Sequence, residues 1–245
     1  MEWQEPAIVL ETTAYGEGDL LVSVLTAQGL WRGLVKGGAS RGKTATWQKG
    51  NFVAARWAAR LAEQLGGLSG ELVHPTAALA LPEAQALAVL EAACALAVGA
   101  LPEREVYLES FTGLMRLFAG IHIPGYPLTE LVRWEVVLLR ELGFGLDFPA
   151  DNGGNDRLAY VSPRTGRAVT LSQAGEWAER LLPLPEFMAG EAEASLGDCL
   201  AGLRITGHFF ARDVFGGRNR PLPTARARLY DQLSDRLAQD KKHAR

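Results

Sequence analysis

The sequence predicts an α+β protein: a small N-terminal β-barrel, then a mainly α-helical domain carrying a short β-hairpin insert. Three observations predict it. Residues 5–75 hold five short β-favouring runs separated by turn clusters. After His74-Pro75 the apolar residues switch to helical spacing. Between residues 147 and 170 that spacing lapses, and two short runs flank Ser162-Pro163-Arg164-Thr165-Gly166 as the arms of a hairpin flank its turn. The expected division is therefore 1–76 for the barrel and 77–245 for the helical domain, with the insert near 147–170.

The barrel strands are expected at residues 6–15, 20–26, 30–36, 51–61 and 68–74. Gly16-Glu17-Gly18-Asp19 turns the chain between the first two, and Gln28-Gly29 turns it tightly between the second and third. Five strands in about seventy residues is the size of a small closed barrel such as the OB-fold. Residues 37–50 are expected to form a flexible basic loop. In the second part, Leu87, Leu90, Cys94 and Val98 share one helical face, as do Leu108, Phe111, Met115 and Phe118. A third face joins Leu128, Leu131, Val132, Glu135, Leu138, Leu139 and Leu142, with Glu135 its polar exception. Pro82, Pro102 and Pro127 suit helix starts, and Gly143 and Gly145 suit the end of the third helix. Arms at 158–161 and 167–170 form the hairpin. Further helical patterns follow at 172–182, around 195–213 and at 224–238.

Charge is unevenly spread. The formal net charge of the 245 residues is −3, yet residues 30–60 carry Arg32, Lys36, Arg41, Lys43, Lys49, Arg56 and Arg60 with no Asp or Glu. Trp31, Trp47, Phe52 and Trp57 are interleaved with them. Cations neutralise phosphates and exposed aromatic rings stack on unpaired bases, so the pattern points to single-stranded nucleic acid. A twisted strand pair with a solvated basic face and its Trp rings in the core competes with that reading. Trp57 alternates with Arg56, Ala58 and Arg60, so it faces the core if those residues face water. Trp47 lies in the loop and is the better stacking candidate. The stretch 81–200 is acidic and 201–245 is basic, a segregation that suits one nucleic-acid face and a separate protein-binding face. Arg204, Arg212, Arg218, Arg220, Arg226 and Arg228 lie in that basic tail. Arg218-Asn219-Arg220-Pro221 reads as a loop and a second DNA contact, against the alternative of a basic surface helix.

Gly37-Gly38-Ala39-Ser40-Arg41-Gly42-Lys43-Thr44 matches the phosphate-loop pattern G-x-x-x-x-G-K-[ST]. That loop functions between a strand and a helix, whose N-terminal amides point at the phosphates. A strand precedes it here. The residues that follow are modest helix formers, and Gly50-Asn51 would stop a helix within two turns. No hydrophobic strand ending in a magnesium-binding Asp accompanies it. A nucleotide-binding enzyme using this loop and an RNA-binding barrel protein both remain as alternatives.

Cys94 and Cys199 sit in Ala- or Leu-rich helical segments and are expected as buried free thiols. Two cysteines without ligand spacing make neither a metal site nor a disulfide framework. The N-terminal residues lack the apolar core of a secretory signal, and the longest apolar stretch, 84–101, is broken by Gln85, Glu91 and Gly99. A reducing cytoplasm is the expected compartment.

The order of parts resembles a known family. Ala7-Ile8-Val9-Leu10, Gly18-Asp19-Leu20-Leu21-Val22-Ser23-Val24-Leu25-Thr26, Gly29-Leu30 and Val35-Lys36-Gly37-Gly38 are similar to the first hairpin and basic loop of RecO, the bacterial recombination mediators. Arg133-Trp134-Glu135 through Leu138-Leu139-Arg140-Glu141-Leu142-Gly143 resembles their central helix. Tyr160-Val161-Ser162-Pro163 through Gly166-Arg167-Ala168-Val169 resembles their insert. The likeness covers nearly the whole chain. It implies non-catalytic binding of single- and double-stranded DNA, annealing of complementary strands, and action with RecR and the single-strand-binding protein SSB in loading RecA. It implies no cofactor and a nucleoid-associated cytoplasmic protein. On it, Arg32, Lys36, Arg41, Lys43, Lys49, Arg56, Arg60, Arg218 and Arg220 become expected DNA contacts, with Trp47 a stacking ring. In the family, a groove near the central helix receives the acidic, apolar-ended tail of SSB. Arg133 and Arg140, seven residues apart on one face, are the expected cations, and helix-surface pairs with Glu130 or Glu141 are the alternative. The family's insert often holds zinc through cysteines. This insert has no Cys or His, so no zinc is expected, and Asp151-Asn152-Gly153-Gly154-Asn155 is expected to be mobile.

Overall fold

In the computed structural model, five strands close a barrel in the order β1-β2-β3-β5-β4. They are β1 (Glu2–Tyr15), β2 (Asp19–Thr26), β3 (Gly29–Val35), β4 (Phe52–Ala58) and β5 (Gly66–His74). The order is that of an OB-fold. All neighbours are antiparallel except β3 and β5, which run parallel and pair at two positions alone, Gly33 with Gly66 and Leu34 with Gly67. Period-two alternation builds the interior: Val53, Ala55 and Trp57 of β4 point in, whereas Ala54, Arg56 and Ala58 are exposed. A bulge between Val9 and Glu11 breaks the alternation of β1. Ile8 and Leu10 are buried as well, because a helix packs on that strand.

Trp57 fills the barrel's centre and donates from its indole nitrogen to the Arg32 carbonyl at 3.0 Å. Its size dictates its neighbours. A Cβ on Gly66 would sit 2.2 Å from the ring, and one on Gly33 would meet it at 3.1 Å. Trp3 and Trp31 complete the cluster, with centroids 6.4 Å and 4.9 Å from that of Trp57.

The structure describes every residue except 62–63, 149–155, 191 and 244–245. The chain divides into two compact units, Met1–Pro127 and Leu128–Arg245. Three helices join the barrel in the first: α1 (Thr76–Ala80), α2 (Ala84–Ala100) and α3 (Leu108–Ala119). α2 is buried on nearly every side, beyond the single face its sequence suggests, because its alanines allow close approach. Leu90 and Cys94 are buried as expected, but so are Val89, Ala92, Ala93, Leu96 and Ala97, while Leu87 is exposed. The buried face of α3 consists of Phe111, Leu114, Leu117 and Phe118; Met115 is half-buried and Leu108 is exposed.

The second unit is built on α4 (Tyr126–Glu141), α7 (Leu196–Phe209) and α8 (Thr224–His243). α4 buries Leu128, Leu131, Val132, Glu135, Leu138 and Leu139, and Gly143, at φ +86°, follows its end. Ser195 caps α7 in a reciprocal box with Asp198. A π-helical turn, Phe210–Phe215, continues it. Glu135 is fully buried and meets Arg226 of α8, whose Nε donates to Oε1 at 2.5 Å and Nη2 to Oε2 at 3.0 Å. The hydroxyl of Thr206 also donates to Glu135.

The insert is a three-stranded sheet in the order β7-β6-β8, from β6 (Leu158–Val161), β7 (Ala168–Thr170) and β8 (Leu182–Pro183). The sequence pattern misses β8, which falls at the end of an expected helix. That helix, over 172–182, reduces to one α turn, α5 (Leu171–Ala174), and a 3-10 segment, Gly175–Arg180. Gly175 sits at φ +45° and ends the α turn. A short helix, α6 (Glu186–Ala189), follows β8. The hairpin turn is closed by the Gly166 amide donating to the Ser162 carbonyl at 2.9 Å, and side chains brace it. Arg212 donates to the Pro163 carbonyl and, at 3.3 Å, to that of Arg164. His208 Nε2 lies 2.9 Å from the same Pro163 oxygen. Among the described residues, no cluster of three His, Cys, Asp or Glu is placed to hold a metal. The run 151–155, expected to be mobile, lies outside the described residues. No described helix is long and apolar enough to cross a membrane.

Candidate nucleic-acid interface

The basic loop between β3 and β4 is a succession of turns strapped to the barrel. The Asp19 carboxylate accepts from the Gly37 amide at 2.7 Å, and the Gly18 carbonyl accepts from Ala39 at 3.1 Å. At the far end, the Thr12 hydroxyl donates to the Trp47 carbonyl at 2.7 Å and the Asn51 amide to that of Ala45 at 2.7 Å. The expected flexible loop is therefore pinned at both ends. No helix follows Lys43-Thr44; the next element is β4. Lys43 Nζ folds back onto the Lys36 carbonyl at 3.1 Å. The strand–loop–helix geometry that a phosphate loop needs is not formed.

This loop walls one side of a groove of about 730 Å³. Lys36, Lys43 and Arg56 line it, and Gly66, Gly67 and Gly70 lie along its floor. The groove opens where β3 and β5 separate beyond Leu34 and Gly67, and among the described residues no strand pairs with the β5 edge from Leu68 to Gly70 on that side. Two of the glycines are required by close approach: a Cβ at Gly66 would enter the Trp57 ring, and one at Gly70 would lie 2.8 Å from the Ala54 carbonyl oxygen. At Gly67 the nearest atom would be 3.9 Å away. The sequence pattern starts β5 at Leu68, one residue past the first two of these, although glycines inside a strand signal close backbone approach.

The remaining cations of the stretch divide by partner. Lys36, Arg41, Lys43 and Arg60 are exposed, and none pairs with a carboxylate among the described residues. Arg56 pairs with Glu2 at 2.6 Å and Arg32 with Glu103 at 3.7 Å. Lys49 donates to Glu91 of α2 at 2.7 Å. Partial burial alone would lower the Lys49 pKa, but the hydrogen bond and charge of Glu91 outweigh it and raise it.

The indoles are interior. Trp31, Trp47 and Trp57 are 3%, 2% and 0% exposed. Trp47, expected as a stacking ring, instead packs in the barrel core, because its carbonyl is tied to Thr12 and the barrel supplies the apolar space. Arg104, which nothing in the sequence singles out, lies over this cluster, 5.3 Å from the Trp31 ring and 5.6 Å from that of Trp57.

In the second unit, Arg133 pairs with Glu130 at 3.0 Å, the helix-surface pair that its spacing also allows. Arg140 is exposed near the end of α4. Arg218 and Arg220 are exposed around Asn219, which adopts φ +51°. Arg226, grouped with the basic tail in the sequence, is buried against Glu135 and offers no charge to a ligand. Arg212 is committed to the hairpin carbonyls and to Asp213, whose hydrogen bond raises its pKa. Trp177 is the exposed indole of this unit, at 58%, with the Arg180 guanidinium 5.0 Å from its ring.

Comparison with known proteins gives a consistent pattern. The family described as Recombination protein O N terminal matches residues 1–76, and that described as Recombination protein O C terminal matches residues 82–221. A protein of Acidiphilium cryptum named DNA repair protein RecO is 56% identical over 247 residues, covering 98% of each chain. One of the same name from Granulibacter bethesdensis is 50% identical over 251 residues and covers both chains completely. Another, from a Caulobacter species, is 43% identical over 240 residues, covering 96% of this chain and 98% of its own.

Proposed function

Because this chain belongs to the RecO family of DNA repair proteins, we propose that it is a non-catalytic recombination mediator whose barrel groove binds DNA. In this reading it binds single- and double-stranded DNA, anneals complementary strands, and acts with RecR to load RecA on SSB-coated DNA in the cytoplasm. The observation that carries the reading is the groove between β3 and β5. It gathers Lys36, Lys43 and Arg56 over a floor of glycines and is walled by the basic loop. Neighbouring cations neutralise successive phosphates, and each contact releases counterions. Arg41 and Arg60 extend the positive surface, and Arg218 and Arg220 offer a separate contact. Arg32, Lys49 and Arg56 contribute on exchanging a carboxylate for a phosphate. For the SSB tail, Arg133 and Arg140 remain the proposed cations, with Glu130 competing for Arg133.

A nucleotide-hydrolysing role is disfavoured by the absence of a helix after Lys43-Thr44. The test is fluorescence anisotropy of a labelled single-stranded oligonucleotide, titrated with the full chain across salt, with and without ATP. Tight, salt-sensitive binding indifferent to ATP is expected. Replacing Lys36, Arg41 and Lys43 by Ala should lower the salt slope by about 2, at roughly 0.7 for each lost single-strand contact. An unchanged slope and affinity would remove the assignment. Parallel titration of an RNA of the same sequence separates the RNA-binding alternative.

A further inference from the structure

A strand-binding barrel has two ways to hold an unpaired strand: rings that stack on bases, or cations and backbone groups that hold phosphates. This barrel keeps its indoles inside. Trp3, Trp31, Trp47 and Trp57 are all buried in its interior, none more than 8% exposed. Among the described residues lining the groove, Trp47 is the single aromatic, at 2% exposure. The surface offered to a ligand is instead Lys36, Lys43 and Arg56 above glycine backbone, with no strand among the described residues paired to the β5 edge past Gly67 on that side. Gly66 and Gly70 cannot bear a side chain without entering Trp57 or the Ala54 carbonyl. Gly67 is the exposed glycine of the three and puts no side chain over the groove, so the floor stays flat enough for a polymer backbone to lie along it.

We propose that the groove holds a single strand by its sugar–phosphate backbone and leaves the bases turned outward, unstacked from protein and available for pairing. This rests on the DNA-binding reading above and deepens it. A strand whose bases are stacked on protein must be peeled from those rings before it can pair. A strand held by its phosphates presents its bases directly to a complement. The affinity of the groove follows the number of phosphates and ignores base identity.

The test compares two labelled oligomers of equal length and phosphate count, oligothymidylate and a wholly abasic strand, binding to the full chain by anisotropy. Trp177 lies in the other unit and is exposed, so the comparison is also made in Trp177→Ala, where no stacking on that ring contributes. The two strands should bind Trp177→Ala within about threefold of each other with equal salt slopes. Lys36→Ala with Lys43→Ala should weaken both equally. Stacking is worth roughly 5- to 150-fold per base. A tenfold or larger loss for the abasic strand in Trp177→Ala would overturn the proposal while leaving DNA binding intact. Failure of both strands to bind at low salt would instead overturn the DNA-binding reading beneath it.

Discussion

Replacing Arg226 by Met should unfold the helical unit at markedly lower temperature or denaturant. Arg226 and Glu135 are 1% and 0% exposed. The guanidinium makes two bonds to the carboxylate and a third to the Leu203 carbonyl at 2.8 Å. Met keeps the length of the stem and removes every donor. Glu135 then stays in the interior with its charge uncompensated and the Thr206 hydroxyl as a donor, and the Leu203 carbonyl loses a partner. Breaking a buried pair in this way costs about 3–5 kcal/mol. For a chain of this size, each kcal/mol moves the melting temperature about 2–4 °C, so a fall of roughly 6–20 °C is expected. Urea unfolding followed by far-ultraviolet circular dichroism gives the same quantity independently. The paired replacement, Glu135→Leu with Arg226→Met, removes both charges and should recover most of the loss, because a buried pair offers little net stability over well-packed apolar groups. A cost below about 1 kcal/mol for Arg226→Met would refute the reasoning. So would a double variant no more stable than the single one.

Other outcomes concern the hairpin, the barrel floor and the thiols. Arg212→Ala should release the hairpin turn at Pro163 and speed hydrogen exchange in residues 158–170 about fivefold, the equivalent of about 1 kcal/mol for a half-exposed charged donor; unchanged exchange would show that the turn is held without it. Gly66→Ala should destabilise the barrel by about 1–3 kcal/mol through collision with Trp57, while Gly67→Ala, with open space beside it, should stay within about 0.5 kcal/mol of the parent in the same denaturant titration. Burial raises the pKa of both Cys94 and Cys199, so a thiol reagent at pH 8 should modify neither in the folded protein and both in urea; rapid labelling without denaturant would contradict their burial.

The barrel is legible in the sequence because its strands alternate and its turns are marked by glycine. Val53, Ala55 and Trp57 against Ala54, Arg56 and Ala58 is a pattern that needs no tertiary information. Trp47 shows where such reading stops. A loop has no period, so nothing local assigns its residues a side, and the burial of Trp47 depends on Thr12, 35 residues away. Glu135 stands out as the polar member of an apolar face, yet its partner lies 91 residues further on. Spacing cannot distinguish Arg226 from the exposed arginines around it. The groove floor escapes sequence reading for a related reason: the glycines of β5 carry no side chain to enter an alternation pattern, and their role emerges when Trp57 is placed beside them.

The same dependence on distant partners sets how much of the basic stretch is available to a polyanion. In the sequence its seven cations are equivalent. Glu103, Glu2 and Glu91, on three other segments, engage Arg32, Arg56 and Lys49. Lys36, Arg41, Lys43 and Arg60 remain without carboxylate partners among the described residues, and the first three lie in or beside the loop that walls the groove. At roughly 0.7 per single-strand contact, four such cations would give a salt slope near 3 from this unit. Exposed ion pairs are worth about 0–1 kcal/mol, so a phosphate can displace Glu2 from Arg56 in the groove at little cost. In the proposed reading the local charge would act as a graded surface: a few cations to meet a strand first, and others to join as their carboxylates yield.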